Sequence, residues 1–289
     1  MATATAKKTV KPTASTHVLS HLIPEDLFRE EYVSRVIHGV RDVDLLRYAK
    51  AARDNLMLFG PTGPGKTSLI LAYAATDQIP LVTVQCNGAI DPQTFWGGVS
   101  DVDGRLMWQD SEITKVVREG GVLYLDEVNF LPPKVAATFH GLLDKRRQIT
   151  LLEKGNEVIK AHDDLQIVVA YNPDYEGTRP LNAAFKNRFS LKLRFDYDEA
   201  VERELICLPV MLQLASKLRM AQRNGDLETP VSTNMLIEFE EIAVDLSYAF
   251  AVDNFLNAFG EEERQPVTEA FDLFSEQIKS ELAQMEAMA

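Results

Sequence analysis

Cysteine is almost missing from this sequence of 289 residues: Cys86, in an apolar strand-like run, and Cys207, in an apolar helical run, are the only two. Two thiols so far apart exclude a disulfide framework and a cysteine metal cluster, and they suit a reducing, cytoplasmic setting. Long hydrophobic runs are missing too. Nowhere do roughly eighteen uncharged apolar residues follow one another, the length a bilayer-spanning helix needs, so membrane insertion is not expected. The opening MATATAKKTVKPTAST has adjacent lysines but no apolar stretch behind them, so it does not read as a signal peptide, and residues 1–17 are expected to form a disordered tail. Positive charge is scarce in one part only. Up to Phe195, 24 Lys and Arg stand against 23 Asp and Glu; from Asp196 onward the ratio is 6 to 20. That acidic part repels a phosphate backbone, which makes nucleic acid the less expected partner and a basic protein surface the better one.

What is present organises the chain. At 46% hydrophobic it has material for one full domain and a smaller one. Short apolar runs, LMLF from Leu56, LVTVQC from Leu81, VLYLDE from Val122, LQIVVAYN from Leu165 and SLKLRF from Ser190, alternate with helical stretches. The runs are apolar in their middles, as strands of a largely parallel sheet covered on both faces must be. Glu112 to Glu119 reads as a helix stopped by Gly120-Gly121, and a further helix is expected from Pro132 through KVAATFHGLLDKRR. QITLLE and EVIKAH, flanking Lys154-Gly155-Asn156, read as a hairpin. Beyond Asp198 the β pattern stops and three helical stretches follow, the second with Ser232 and the last with Thr268 as N-cap. The expectation is an α/β core over residues 18–196 and an acidic all-helical domain over residues 197–289.

Between the first of those strands and a helix lies Gly60-Pro61-Thr62-Gly63-Pro64-Gly65-Lys66-Thr67, followed by Ser68. This is G-x-x-x-x-G-K-[ST] in the context it requires, a P-loop. Its glycines let backbone N–H groups wrap a phosphate, the helix N-terminus adds positive potential, and Lys66 reaches the β and γ oxygens. The hydroxyl of Thr67 suits Mg²⁺. Asp126 ends an apolar strand and can hold the same ion through water, while Glu127 is placed to orient or deprotonate the attacking water. The alternative for this pair is a solvated strand end. Asn172, after the next strand and before Pro173, can hydrogen-bond that water or a γ-phosphate oxygen, or can simply form a turn. The expected ligands are ATP and Mg²⁺.

Taken in order, GPTGPGKT, LYLDE and AYNP resemble the Walker A, Walker B and sensor-1 motifs of AAA+ ATPases, more narrowly the MoxR branch with its CbbQ, NorQ and GvpN-like members. The segment NGAIDPQTFWGGVSDVDGRLMWQDSEITKVVREGG resembles the branch's helix-2 insertion, a small hairpin facing a ring pore. The hairpin after KRRQIT resembles its pre-sensor-1 insertion. RPLNAAFKNRF resembles the segment that ends in an arginine and a phenylalanine. The likeness runs over roughly residues 32 to 250. It implies the P-loop NTPase three-layer αβα sandwich with a small C-terminal helical lid, and a hexameric ring. Arg188, sixteen residues beyond Asn172, would then be the arginine finger reaching a neighbour's γ-phosphate. Arg147 is a second inter-subunit candidate, with membership of a solvated Lys145-Arg146-Arg147 cluster as its alternative. Where the family's lid has Ser-Thr-Arg, this sequence has Ser232-Thr233-Asn234, and Asn234 cannot make the charged contact with phosphate. Trp96, Trp108 and Phe95 flank the insertion, either as exposed grips for a polypeptide or packed on their own domain.

The functional expectation is a ring ATPase that remodels or activates a partner protein, a chaperone or activase working with a von Willebrand factor A (VWA) domain partner. The competing expectation is a nucleotide-gated structural or DNA-associated factor with slow turnover. Metabolic kinase chemistry fits the Asn172 and Arg188 positions and the helical lid less well.

Overall fold

The computed structural model describes residues 17–91, 95–173 and 181–288. Residues 1–16 of the expected tail, residues 92–94 of the expected insertion and the Arg179-Pro180 start of the arginine-finger segment lie outside the described residues.

Eleven strands are present among these residues: β1 (Val36–Ile37), β2 (Val40–Arg41), β3 (Leu56–Phe59), β4 (Leu81–Gln85), β5 (Gly97–Val102), β6 (Arg105–Asp110), β7 (Gly121–Asp126), β8 (Gln148–Leu151), β9 (Glu157–Lys160), β10 (Leu165–Tyr171) and β11 (Leu191–Arg194). Five of them form one parallel sheet in the order β11-β3-β10-β7-β4. The chain runs outward from β3 to β4, returns through β7 and β10, and then crosses to β11 on the other side of β3. This reversal puts the switch point, and the ligand crevice of an open α/β sheet, at the C-terminal ends of β3 and β10.

The helices are α1 (Leu27–Glu30), α2 (Asp42–Ala52), α3 (Lys66–Asp77), α4 (Glu112–Glu119), α5 (Pro133–Thr138), α6 (His140–Leu143), α7 (Ala183–Lys186), α8 (Glu199–Leu205), α9 (Pro209–Asn224), α10 (Thr233–Asp245), α11 (Tyr248–Leu256) and α12 (Glu261–Met288). Because strand side chains alternate, each central strand feeds two cores. Met57, Leu123, Leu125, Ile167 and Val169 pack with Val116 and Val117 of α4 and with Phe139 on one face. Leu56, Leu58, Val122, Tyr124, Val168 and Ala170 pack with Leu46 of α2 and with Leu69, Ile70 and Tyr73 of α3 on the other. Gln166, buried on its strand, accepts from the Tyr73 hydroxyl at 2.9 Å and donates to the Leu46 carbonyl at 2.9 Å, so burying it leaves its amide paired. The result is a three-layer αβα sandwich, the α/β fold of AAA+ proteins, followed by a helical C-terminal region. That region, α8 to α12, has its own core around Phe239, Phe255 and Phe271.

Several helices differ from their expected extents. The stretch from Pro132 breaks at Phe139 and ends at Leu143, because Asp144 turns extended and hydrogen-bonds the backbone of Arg146. Pro209 separates α8 from α9, and Leu246, at φ −120° and ψ −76°, separates α10 from α11, which Ser247 caps. Ser232 caps α10 as expected, accepting from the Met235 N–H at 3.2 Å. Thr268 is not a cap: α12 begins at Glu261, and the Thr268 hydroxyl donates to the Arg264 carbonyl at 2.7 Å from inside it. The start lies earlier because the Glu263 carboxylate accepts from the Gly260 N–H at 3.2 Å and ties it to Glu228 and Thr229.

The segment expected to hold an insertion forms the antiparallel β5–β6 hairpin, and β8–β9 is the hairpin around Lys154-Gly155-Asn156. Phe95 and Trp96 are buried at the base of the β5–β6 hairpin against Phe139, with ring centroids 5.1 to 5.5 Å apart, so they pack on their own domain. Trp108 is half-buried and donates to Asp110 at 2.7 Å.

Candidate nucleotide site

The loop from Gly60 to Gly65 joins β3 to α3 at the switch point. Two of its glycines are required by close approach. A Cβ on Gly60 would stand 2.1 Å from the Phe195 carbonyl oxygen, and one on Gly63, at φ +90°, would stand 2.3 Å from the Ser232 Cβ. The same loop is clamped from behind by Arg35, a buried residue with no motif to announce it. Its guanidinium donates to the Pro64 carbonyl at 2.5 Å and the Asp196 carbonyl at 2.6 Å, and lies 3.7 Å over the Phe195 ring. Asp42, fully buried, accepts from the Arg35 N–H, Ser34 and Tyr32 and so fixes the segment that carries Arg35.

The Lys66 ammonium donates to the carbonyls of Gly60 at 3.0 Å and Pro61 at 2.5 Å. Burial lowers its pKa, and the nearby carboxylates of Asp126 and Glu127 oppose that shift. These carbonyls are neutral acceptors, so a phosphate at the loop offers the ammonium a stronger, charge-assisted bond. The Thr67 hydroxyl donates to Asp126 Oδ2 at 2.8 Å and lies 3.3 Å from the Tyr124 hydroxyl. Tyr124 and Asp126 are two apart on β7 and therefore share a face of the strand. Burial and the Asp126 charge push the Tyr124 phenol well up, which keeps it protonated beside the carboxylate. A hydroxyl and a carboxylate in contact at a strand end are the hard oxygen donors Mg²⁺ takes. Thr67 and Asp126 would hold that ion, and it would supply charge neutralisation to the phosphates.

Glu127 has a left-handed backbone, φ 51°, and its N–H donates to Asp126 Oδ1 at 2.9 Å. Its carboxylate accepts from the Gln85 amide at 2.8 Å. Gln85 pairs with Asp126 across the β4–β7 register, which is what brings its side chain to the next residue. Sequence reasoning missed it, although a polar residue ending an apolar strand was a visible signal. Asn172, just past β10, donates to the Thr62 hydroxyl at 3.3 Å. Thr62, Gly63, Gly65, Lys66, Thr67, Ser68, Asp126, Glu127 and Asn172 line one cavity of about 240 Å³ with Tyr171 and Asn234. Gly60, Pro61 and Pro64 shape the loop without lining that cavity. A larger cavity of about 1510 Å³ shares Thr62 and Asn172 and opens between the loop and α8–α9.

Arg188 stands outside both cavities. Its guanidinium donates to the Ala184 carbonyl, its own carbonyl accepts from Asn55 at 3.2 Å, and its charge, after burial, helps lower the His140 pKa. Arg147 is neither a solvated side chain nor a projecting one: half-buried, with φ 46°, it donates to the Leu165 carbonyl at 2.5 Å. Arg146 pairs with Asp144.

A family model described as an AAA domain of the dynein-related subfamily matches residues 55–189, from β3 through the segment carrying Arg188. An uncharacterized protein of Staphylococcus aureus strain USA300 is 34% identical over 198 residues, 65% of this chain and 74% of its own length. The chain belongs to the AAA family of ATPases. An uncharacterized Staphylococcus haemolyticus protein is similar to this AAA ATPase at 29% identity over 238 residues, covering 76% of this chain and 90% of that protein. Among solved structures, a provisionally assigned ATPase of Cytophaga hutchinsonii superposes with TM-score 0.45 at 18% identity, over 79% of this chain and 78% of that one, too distant to carry an argument. No helix among the described residues of the AAA ATPase is long and apolar enough to cross a membrane.

Proposed function

We propose that this protein hydrolyses Mg·ATP in the cleft between the P-loop and the ends of β7 and β10, and that it spends the cycle on remodelling a partner protein. The observation that carries the reading is the convergence of Lys66, Thr67, Asp126, Glu127 and Asn172 on one cavity, drawn from three separate segments. In this reading Lys66 binds the β and γ oxygens, Glu127 takes the proton of the attacking water, and Asn172 holds that water or a γ oxygen. A module that only binds nucleotide has no use for a water-activating carboxylate beside the metal ligands.

The working unit is a ring of identical subunits, six in number, with residues 18–196 as core and 197–289 as lid. Arg188 stands outside the nucleotide cavity of its own subunit, which supports a role in trans, on a neighbour's nucleotide. Such a finger changes turnover by about 10³ to 10⁵. The β5–β6 and β8–β9 hairpins and the AYNP strand end support membership of the MoxR branch, and with it a chaperone or activase role on a VWA-domain partner. ATP turnover per subunit against protein concentration, with mass measured alongside, tests this. The expected result is activity that rises with assembly. Assembled protein that binds ATP and does not turn it over, with or without a partner protein, contradicts it and favours the nucleotide-gated scaffold.

A further inference from the structure

The lid of this protein lacks a cation on its phosphate-facing helix, since Asn234 lines the nucleotide cavity in that place. It touches the P-loop by another route. Tyr197, in the connection between β11 and α8, donates its hydroxyl to the Thr62 carbonyl at 2.7 Å. The other side of Thr62, its hydroxyl, is the group that accepts from Asn172 at 3.3 Å. Thr62 is thus bracketed between the lid connection and the residue assigned to the γ-phosphate.

The Tyr197 ring is itself held from the lid. The Arg219 guanidinium of α9 lies 3.7 Å from the ring centroid. Arg219 is buried and donates both ends of its fork to Glu202 of α8, at 2.7 and 2.8 Å, and its Nε to the Val231 carbonyl at 2.8 Å. Glu202 accepts from the Thr233 hydroxyl at 2.6 Å. Thr233 opens α10, one residue after the Ser232 whose Cβ blocks any side chain at Gly63. A bidentate pair stacked on an aromatic face is a stiff unit. Here it spans α8, α9 and the start of α10, so a displacement of the lid moves Tyr197 with it.

Resting on the nucleotide-site reading above, we propose that Tyr197 is a positioning residue for ATP: through it the lid sets the Thr62 segment of the P-loop, in place of a lid cation on phosphate. Burial pushes the Tyr197 phenol up to about 12, so the hydroxyl remains a donor through the neutral range.

Tyr197→Phe deletes the hydroxyl and keeps the ring under Arg219. The test titrates the full chain with a fluorescent ATP analogue and records melting temperature without nucleotide. It also follows an environment-sensitive dye on Cys207, the exposed cysteine between α8 and α9, which labels in preference to buried Cys86. Losing one hydrogen bond predicts affinity about threefold to tenfold weaker. Melting without nucleotide stays within about 2 °C, since one hydrogen bond of this kind moves a chain this size by little more. The dye response to ATP falls by at least half. Equal affinity and an equal dye response in wild type and variant overturn the proposal while leaving the nucleotide site intact. A variant that melts several degrees lower without nucleotide marks the hydroxyl as structural and also overturns it. Wild type that binds no ATP analogue overturns the nucleotide-site reading itself, and the proposal with it.

Discussion

Gln85→Leu should raise basal ATP turnover. The Gln85 amide holds the Glu127 carboxylate at 2.8 Å, and Glu127 is the group assigned to the attacking water. In this reading the carboxylate leaves the amide to reach that water, so the bond stabilises the ground state and not the transition state. A hydrogen bond to a charged group contributes about 1.5 to 3 kcal/mol when buried. This one is solvent-accessible, so a value of about 1 kcal/mol is appropriate, which corresponds to roughly fivefold in rate. Gln85 does not line the nucleotide cavity, so ATP affinity should stay within about twofold. Steady-state turnover by phosphate release, paired with nucleotide titration, measures both. A fall in turnover would mean that Gln85 aims Glu127 at the water, and a change confined to affinity would mean that the contact serves the fold of the site. Either result refutes the reasoning.

Gly63→Ala should weaken ATP binding tenfold or more, read by the same titration. A non-glycine residue at φ +90° costs about 1 to 2 kcal/mol. The new Cβ, 2.3 Å from that of Ser232, must also push the lid back by about 1 Å to reach an ordinary contact. Arg188→Ala should leave ATP affinity unchanged and reduce turnover of the assembled protein by about a thousandfold, the effect of removing a finger supplied in trans. Asp110→Asn should lower the melting temperature by about 3 °C at neutral pH. Burial works to raise the Asp110 pKa, but bonds from Trp108, Lys154 and Arg118 outweigh it and leave it below its ordinary 3.8. A carboxylate with a depressed folded pKa stabilises fully above its unfolded pKa and loses that contribution as pH falls through the folded one. The difference between wild type and Asp110→Asn should therefore hold above pH 4 and vanish in more acidic buffer, as acid titrations followed by circular dichroism would record.

The P-loop, the carboxylates ending β7, and Asn172 were legible in the sequence because each depends on local order: a strand end, a turn, and a residue type fixed to its place by the chain itself. The sheet was legible for the same reason, since strands buried on both faces announce themselves as apolar runs such as LYL and IVVA. Helix limits were harder. The apolar pattern of α10 and α11 continues through Leu246, and only packing decides that the chain turns there. Thr268 looked like a cap because its type suits one, yet the carboxylate of Glu263 started α12 a turn and more earlier. Arg35, Gln85 and Tyr197 were not legible as site residues. Their partners lie 29, 42 and 135 residues away in sequence, and beyond the polar end of an apolar strand at Gln85 nothing local marks a side chain whose job is to hold a distant carbonyl or carboxylate. The solvated-cluster reading of Arg147 erred in the opposite sense, since its charge suggested a water-facing side chain while its guanidinium donates to the Leu165 carbonyl.

The central claim is that the cleft around Lys66, Asp126 and Glu127 turns over ATP. Glu127→Gln tests it most directly, because it keeps the size of the side chain and one acceptor oxygen and removes its ability to accept the proton of water. Single-turnover hydrolysis of magnesium ATP by assembled protein, with nucleotide affinity measured in parallel, should show binding within a few-fold of wild type. The chemical step should be slower by at least a hundredfold, in the range of general-base catalysis. Hydrolysis in Glu127→Gln at the wild-type rate, with binding intact, would contradict the account.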